Sequence, residues 1–212
     1  MTSVSCLTEI GDPLVLDASV VVNLNATGFA DHILGAVPTA VFVPVPVVRE
    51  LKRGMIMGHS DATDLKVLLE EGLVESLHVP TSAQSEYVSM VSGSSASSLG
   101  DGEAATIASA FSMSGWAGLD ERKARRICRE RYRTVRVAST VDILAHPNVT
   151  LALSEDELSA ALLAALEVAH MQVQKEHMSW VLSKIDPQRI AGCISLPRYI
   201  RDNNQINLSS AG

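Results

Sequence analysis

Acidic residues recur in this chain just past apolar stretches, and their placement is where chemistry could reside. Asp17 closes the run PLVLD, Glu50 closes VPVPVVRE, Asp101 and Glu103 stand in LGDGEA, and Asp120 with Glu121 follows AGL. Asp and Glu belong mostly to protein surfaces, so acids at the ends of buried-type strands need a reason. Two carboxylates about 4 Å apart repel by roughly 4 kcal/mol at an effective dielectric near 20. If the four positions converge, a cation is what makes the arrangement tolerable. Ligand sets made only of oxygen suit Mg²⁺ or Mn²⁺, ions that commonly serve phosphate chemistry. The pattern points to a metal-dependent phosphodiesterase. Helix capping explains any one of these acids, but it explains the whole set poorly.

The elements that must position these acids read as alternating strands and helices. Residues 14–17 form a short, continuously apolar strand of the kind buried in parallel sheets. Ser19 follows, then a helical stretch through Ile33 broken near Gly28. A second strand covers residues 41–45, stopped by Pro44 and Pro46, and Val47 to Gly54 starts a helix that carries Glu50. Asp61 to Glu71 is amphipathic with Gly72 as its C-cap, and Val74 to Val79 alternates as a strand. Ser92 to Gly100 is a flexible loop. Beyond it come a helix from Gly102 to Met113, a strand from Trp116 to Leu119 and a helix from Glu121 to Glu130. A strand from Thr134 to Val137 and a helix from Ser139 to Ala145, stopped by His146-Pro147, complete the series. Such alternation marks βαβ units and a parallel sheet. Functional groups in such sheets collect beyond the carboxyl ends of the strands, where Asp17 and Asp120 fall.

Ser154 and Glu157 form a capping box, which predicts one long helix reaching about Lys184. Leu158, Leu162, Leu166, Val173 and Trp180 make its apolar stripe, and the tail beyond Ile190 reads as irregular. Residues 1–150 therefore read as an α/β domain and 151–212 as a helical extension with its tail. A stripe of that length predicts packing on a second copy or a partner, with folding back on the chain's own core as the alternative.

Composition narrows the classes. The chain has 212 residues, 47% of them hydrophobic, enough for one real core. Its bias towards Ala, Val and Leu favours α/β architecture over a β-sandwich. No stretch has the roughly 20 apolar residues that span a bilayer, and the first residues have neither the basic start nor the apolar core of a signal peptide. Cys6, Cys128 and Cys193 have no metal-ligand spacing and form an odd set, so a reducing cytoplasm is the expected setting. The net charge is −7, against a protein coated in nucleic acid, yet eight of the 17 basic residues lie between Arg122 and Arg136. A local basic stripe beside an acidic pocket can hold a phosphate backbone. There is no phosphate-cradling glycine loop and no serine or cysteine nucleophile motif. His170 and His177 read as packing residues.

The order of motifs resembles the PIN-domain family of metal-dependent ribonucleases, many of which are toxins of toxin–antitoxin pairs. LVLDASVVVNL is similar to the family's opening strand, and VFVPVPVVREL to its second block. LGDGEAATIASAF resembles the GE-A-x-x-I-A block of one branch, and GLDERKARRICRE that branch's acidic pair followed by arginines. The likeness covers about residues 13–148. It implies a five-stranded parallel sheet sandwiched by helices and an endoribonuclease using Mg²⁺ or Mn²⁺. It also implies RNA as substrate, an antitoxin protein as partner where the chain is a toxin, and a homodimer.

On this reading Asp17, Glu50, Glu103 and Asp120 are the catalytic acids. Asp101 and Glu121 remain alternatives for the metal, with Asp101 the better N-cap. Ser19 would orient a carboxylate, and Asn23 faces the site or is structural. Arg122, Arg125, Arg126 and Arg129 lie on a helix just after site acids and would contact phosphates.

Overall fold

Leu14–Leu16 is the strand on which everything else is hung, and all three of its residues are buried. In the computed structural model, which describes residues 5–7, 11–94 and 98–202, this strand (β1) is the centre of a sheet. Residues 95–97 of the expected flexible loop and 203–212 of the expected irregular tail lie outside the described residues. The other strands are β2 (Val41–Pro44), β3 (Glu75–Leu77), β4 (Trp116–Gly118) and β5 (Arg136–Ala138). All pairs are parallel and the spatial order is β3-β2-β1-β4-β5. This is the expected α/β class.

Parallel strands need crossovers, and helices supply them. In chain order they are α1 (Ala18–Ala26), α2 (Ala30–Ala36), α3 (Val45–Met55), α4 (Asp61–Glu70), α5 (Gln84–Val91), α6 (Asp101–Ser112), α7 (Arg122–Arg131), α8 (Thr140–Leu144), α9 (Pro147–Ala152), α10 (Glu155–Glu167) and α11 (Met178–Lys184). Side chains alternate across β1. Leu14 and Leu16 join a core with Val20, Leu24, Ile33, Leu162 and Leu166, while Val15 joins another with Ile107, Ala117, Leu119 and Ile127. Helices therefore cover both faces. The strand order reverses at β1, where β2 and β4 leave to opposite sides, and that reversal opens a crevice beyond the carboxyl ends.

Two local expectations are corrected. The single helix to Lys184 does not exist: α10 ends at Glu167, residues 168–174 are non-helical, and α11 begins only at Met178. An unbroken helix of some 30 residues would run roughly 45 Å, past the edge of a domain this size. Breaking the helix lets Met171 and Val181 turn back into the core with Leu158, Leu162 and Leu166. Leu158, Leu162 and Leu166 of the apolar stripe are buried and Val173 and Trp180 pack partly buried against the core, so the stripe folds back on the chain itself. The expected stop at His146-Pro147 holds, since α8 ends at Leu144, and Pro147 also opens α9, because the first helical position needs no N–H. Asp101 is not the N-cap of α6; Gly100 is.

Candidate active site

The site is built by chain geometry before any side chain acts. β1 ends at Leu16, so Asp17 stands where the strand turns into α1; it is buried and serves as that helix's N-cap. Its Oδ2 accepts the Ser19 hydroxyl at 2.9 Å and, more weakly, the Ser19 N–H at 3.5 Å. Capping and site placement coexist in this residue. The β1–β4 pairing then sets Asp120 nearby, two residues past Gly118. Asp120 is buried and held by three donors. Its Oδ1 takes the Thr140 N–H at 2.9 Å, and its Oδ2 takes the Asn23 amide at 2.7 Å and the Thr140 hydroxyl.

Glu50 arrives on α3 and Glu103 on α6. Glu103 reaches back to the N–H of Gly100 through Oε2 at 3.0 Å, while its Oε1 is buried with no partner. Gly102 is the reason α6 can come so close. A β-carbon there would lie 2.7 Å from Glu50 Oε2 and 3.2 Å from Asp17 Oδ1, so both carboxylates converge where this residue has no side chain. Asp17, Glu50, Glu103, Asp120 and Glu121 all line one cleft of about 510 Å³. Asp101 does not. It is exposed and sits against Tyr87, whose hydroxyl is raised by burial and then by this acid.

Crowding shows in the electrostatics. Burial pushes the Asp17 carboxyl up to about 7, with the charges of Glu103 and Glu50 adding to it against the Ser19 hydrogen bond. Burial also raises Glu50 and Glu103, and the charge of Glu121 adds to both. Asp120 is raised by burial despite the donors from Thr140 and Asn23.

These acids meet at the point in the fold where ligands of parallel sheets bind. A family model for the PIN domain matches residues 13–187, which carries the likeness through α10 and α11. The chain belongs to the PIN-domain family. No curated protein and no solved structure matches it. The PIN domain is a nuclease-type fold, so the acid cleft is its candidate active site.

The basic stripe of this PIN domain is only partly available to a substrate. On α7, Ala124, Arg125, Ile127 and Cys128 share the buried face, so Arg125 points inward. Its Nη1 donates to the carbonyl of Leu119 at 2.8 Å and Nη2 lies 3.9 Å from Glu176, a tie that braces the backbone beside Asp120. Arg122, Arg126 and Arg129 are exposed, Arg126 pairing with Glu130 at 2.9 Å. None of the four lines the cleft.

Sequence reasoning missed three contributors. Gly102 stood in the quoted GE motif, but its role is steric and depends on where α3 lands. Thr140, which holds Asp120 by two hydrogen bonds, gave no signal beyond its place after a strand. The segment Ala169–Gln172 lines the cleft, and His170 there is exposed, not packed. His177 is buried as expected, against Asp142.

Among the described residues no three His, Cys, Asp or Glu side chains form a group able to hold an ion by themselves. The donor chemistry nonetheless fits a hard cation. All the groups are oxygen, two carboxylates converge over Gly102, and Glu103 has an orphaned buried oxygen. Mg²⁺ is commonly held by one or two carboxylates, with waters and substrate phosphates completing the shell.

Proposed function

We propose that this PIN domain is a metal-dependent endoribonuclease that hydrolyses RNA phosphodiesters. The observation that carries this is the convergence of Asp17 and Glu50 over Gly102, inside a cleft also lined by Glu103 and Asp120. A carboxyl raised to about 7 by burial and then by the charges of Glu103 and Glu50, as Asp17 is, favours a cation. Asp17, Glu50 and Glu103 would hold Mg²⁺ or Mn²⁺, with Asp120 anchored behind them and Glu121 at the rim. A bound ion would polarise the phosphoryl oxygen and offset charge developing on the leaving oxygen.

The chain's own groups do the positioning. Ser19 fixes the carboxylate of Asp17 through Oδ2 and leaves Oδ1 turned towards Glu50 and Gly102. Asn23 and Thr140 hold Asp120 from α1 and α8. Arg122, Arg126 and Arg129 offer an exposed cationic face for the backbone of the RNA outside the cleft, without reading its bases. No described helix is long and apolar enough to cross a membrane.

Purified protein incubated with total RNA should give fragments with Mn²⁺ and none with chelator or with Asp17→Asn. Intact RNA under all three conditions rejects the nuclease. The absence of a ready three-residue ion group favours one other reading, a catalytically silent PIN-fold binding module. Such a module would show no Mn²⁺-dependent rise in melting temperature. Growth arrest on expressing the chain, but not Asp17→Asn, would extend the proposal to a toxin with an antitoxin partner.

A further inference from the structure

The acid cleft has a second wall that the acids do not supply. After α10 the chain turns at His170, whose φ of 55° is the left-handed backbone that side chains disfavour. Beyond the turn, exposure alternates: His170 exposed, Met171 buried, Gln172 exposed. Met171 is therefore turned into the protein, while His170 and Gln172 are exposed and line the cleft. Met171 is seated in the core, and its N–H donates to the carbonyl of Ala165 at 2.9 Å. Gln174 Nε2 donates to the carbonyl of Asp120 at 3.3 Å, which ties the segment to the site acid's own backbone. Ala169 to Gln172 line the same cleft as Asp17, Glu50, Glu103 and Asp120.

The two walls differ in chemistry. Ionised carboxylates only accept hydrogen bonds, whereas an imidazole and a primary amide donate them. A phosphodiester also presents only acceptors, so the acids can address it solely through a cation, while the His170–Gln172 side can bind it directly. A cleft near 510 Å³ suits a ligand the size of one or two nucleotides, and splayed single strands enter a recessed site more readily than a duplex.

We propose that residues 168–174 are a substrate-selecting strap. It admits a single RNA strand between itself and the acids, and His170 and Gln172 donate hydrogen bonds to that strand's phosphate oxygens. This rests on the ribonuclease reading for the identity of the strand. His170 and Gln172 are positioning residues, held in place by the anchoring of Met171 in the core and of Gln174 on the Asp120 carbonyl. If the strap were only a closure of the core, His170 would be a turn residue with no part in binding.

The test is binding of a short fluorescein-labelled single-stranded RNA, read by anisotropy in the non-cleaving Asp17→Asn protein with Mn²⁺ present. His170→Gly suits the left-handed turn better than histidine does, so it removes the imidazole without threatening the fold. His170→Asn keeps both tolerance of that turn and a donor. Combining His170→Gly with Gln172→Ala should weaken binding about tenfold, the loss expected for one or two hydrogen bonds to a charged group. His170→Asn should restore most of it, and the same RNA as a duplex should bind weakly throughout. In the cleaving protein the double variant should raise KM and leave kcat and the Mn²⁺-induced shift in melting temperature in place. Unchanged RNA binding in the double variant, a duplex bound as tightly as the single strand, or no binding of single-stranded RNA at all overturns the strap. Binding that depends on His170 in a protein that cleaves nothing sinks the ribonuclease and leaves the strap standing.

Discussion

Asp17 and Asp142 are both buried carboxylates of one small domain, and their surroundings drive them in opposite directions. Burial alone would raise Asp142. It accepts the N–H groups of Cys6 at 3.0 Å and Ser139 at 2.8 Å and the Ser139 hydroxyl at 2.6 Å, and it meets His177 Nε2 at 3.1 Å. The hydrogen bonds from His177 and Ser139, with the charge of His177, hold it well below the usual carboxylate range. Asp17 has the Ser19 hydroxyl, a weak N–H contact and two acidic neighbours, and it is pushed up to about 7. Burial is common to both, so the count of donors and the sign of neighbouring charge decide the outcome. Asp142 is a staple joining the N-terminal residues, α8 and the approach to α11. Among the described residues Asp17 meets acids and no cation, which supports the metal-binding role proposed for it.

The sharpest way to break this contrast is to remove each acid. Asp17→Asn should lower RNA cleavage below detection, a loss of at least about 10²–10³-fold, as large as losing one transition-state charge contact. Its melting temperature should hold or rise, since a repelling charge is gone. Asp142→Ala should do the reverse, costing about 3 kcal/mol in denaturant unfolding by stranding several buried donors. Its cleavage below the melting transition should persist. If Asp17→Asn unfolds the protein, or Asp142→Ala abolishes cleavage in a folded one, the division into site and staple is wrong.

A smaller effect separates geometry from charge. Gly102→Ala adds a methyl 2.7 Å from Glu50 Oε2 without altering any charge. Cleavage should drop about tenfold from a displaced carboxylate. The tightest contact is with the far end of the flexible Glu50 side chain, which can swing aside, so circular dichroism melts should show little destabilisation. Full activity in this variant would mean that the approach of α6 to Asp17 and Glu50 has no role.

The mildest probe is pH without metal. Asp17 is raised from its ordinary 3.8, so its contribution to stability is present below that value and fades as pH climbs towards about 7. Asp142 is lowered, so its contribution is present above its ordinary value and is lost as pH falls through the native one. Melting temperature followed from acid to neutral pH should show the Asp17 loss vanish in Asp17→Asn, and Mn²⁺ should cancel it in the unsubstituted protein. A profile identical in both proteins would remove Asp17 as its source.

Much of this was legible along the chain. Short apolar runs followed by helix-forming segments announced a parallel sheet, and the acids at their ends announced a site. The position of Asp17 follows from local rules: a strand ends, a cap follows, and the side chain lands beyond the sheet. Glu103 lies in the first turn of α6, whereas Glu50 sits in the second turn of α3 and reaches the site through packing. Ambiguity remained wherever neighbours in sequence face opposite ways. Asp120 and Glu121 are adjacent, yet one is buried among three donors and the other is exposed at the rim. Arg125 shares the composition of Arg122, Arg126 and Arg129, but helical phase turns it into the protein.

The sequence by itself determined the alternation of elements and the sites of their caps, because those depend on interactions within a few residues. Only the tertiary structure decided which acids share a cleft, that Gly102 leaves room for two of them, and that the chain breaks after Glu167 so that Ala169 to Gln172 line the same cleft. Those outcomes depend on where distant elements come to rest. They are governed by packing around β1, where Leu158, Leu162, Leu166 and Met171 are buried more effectively on a folded-back chain than along a straight helix.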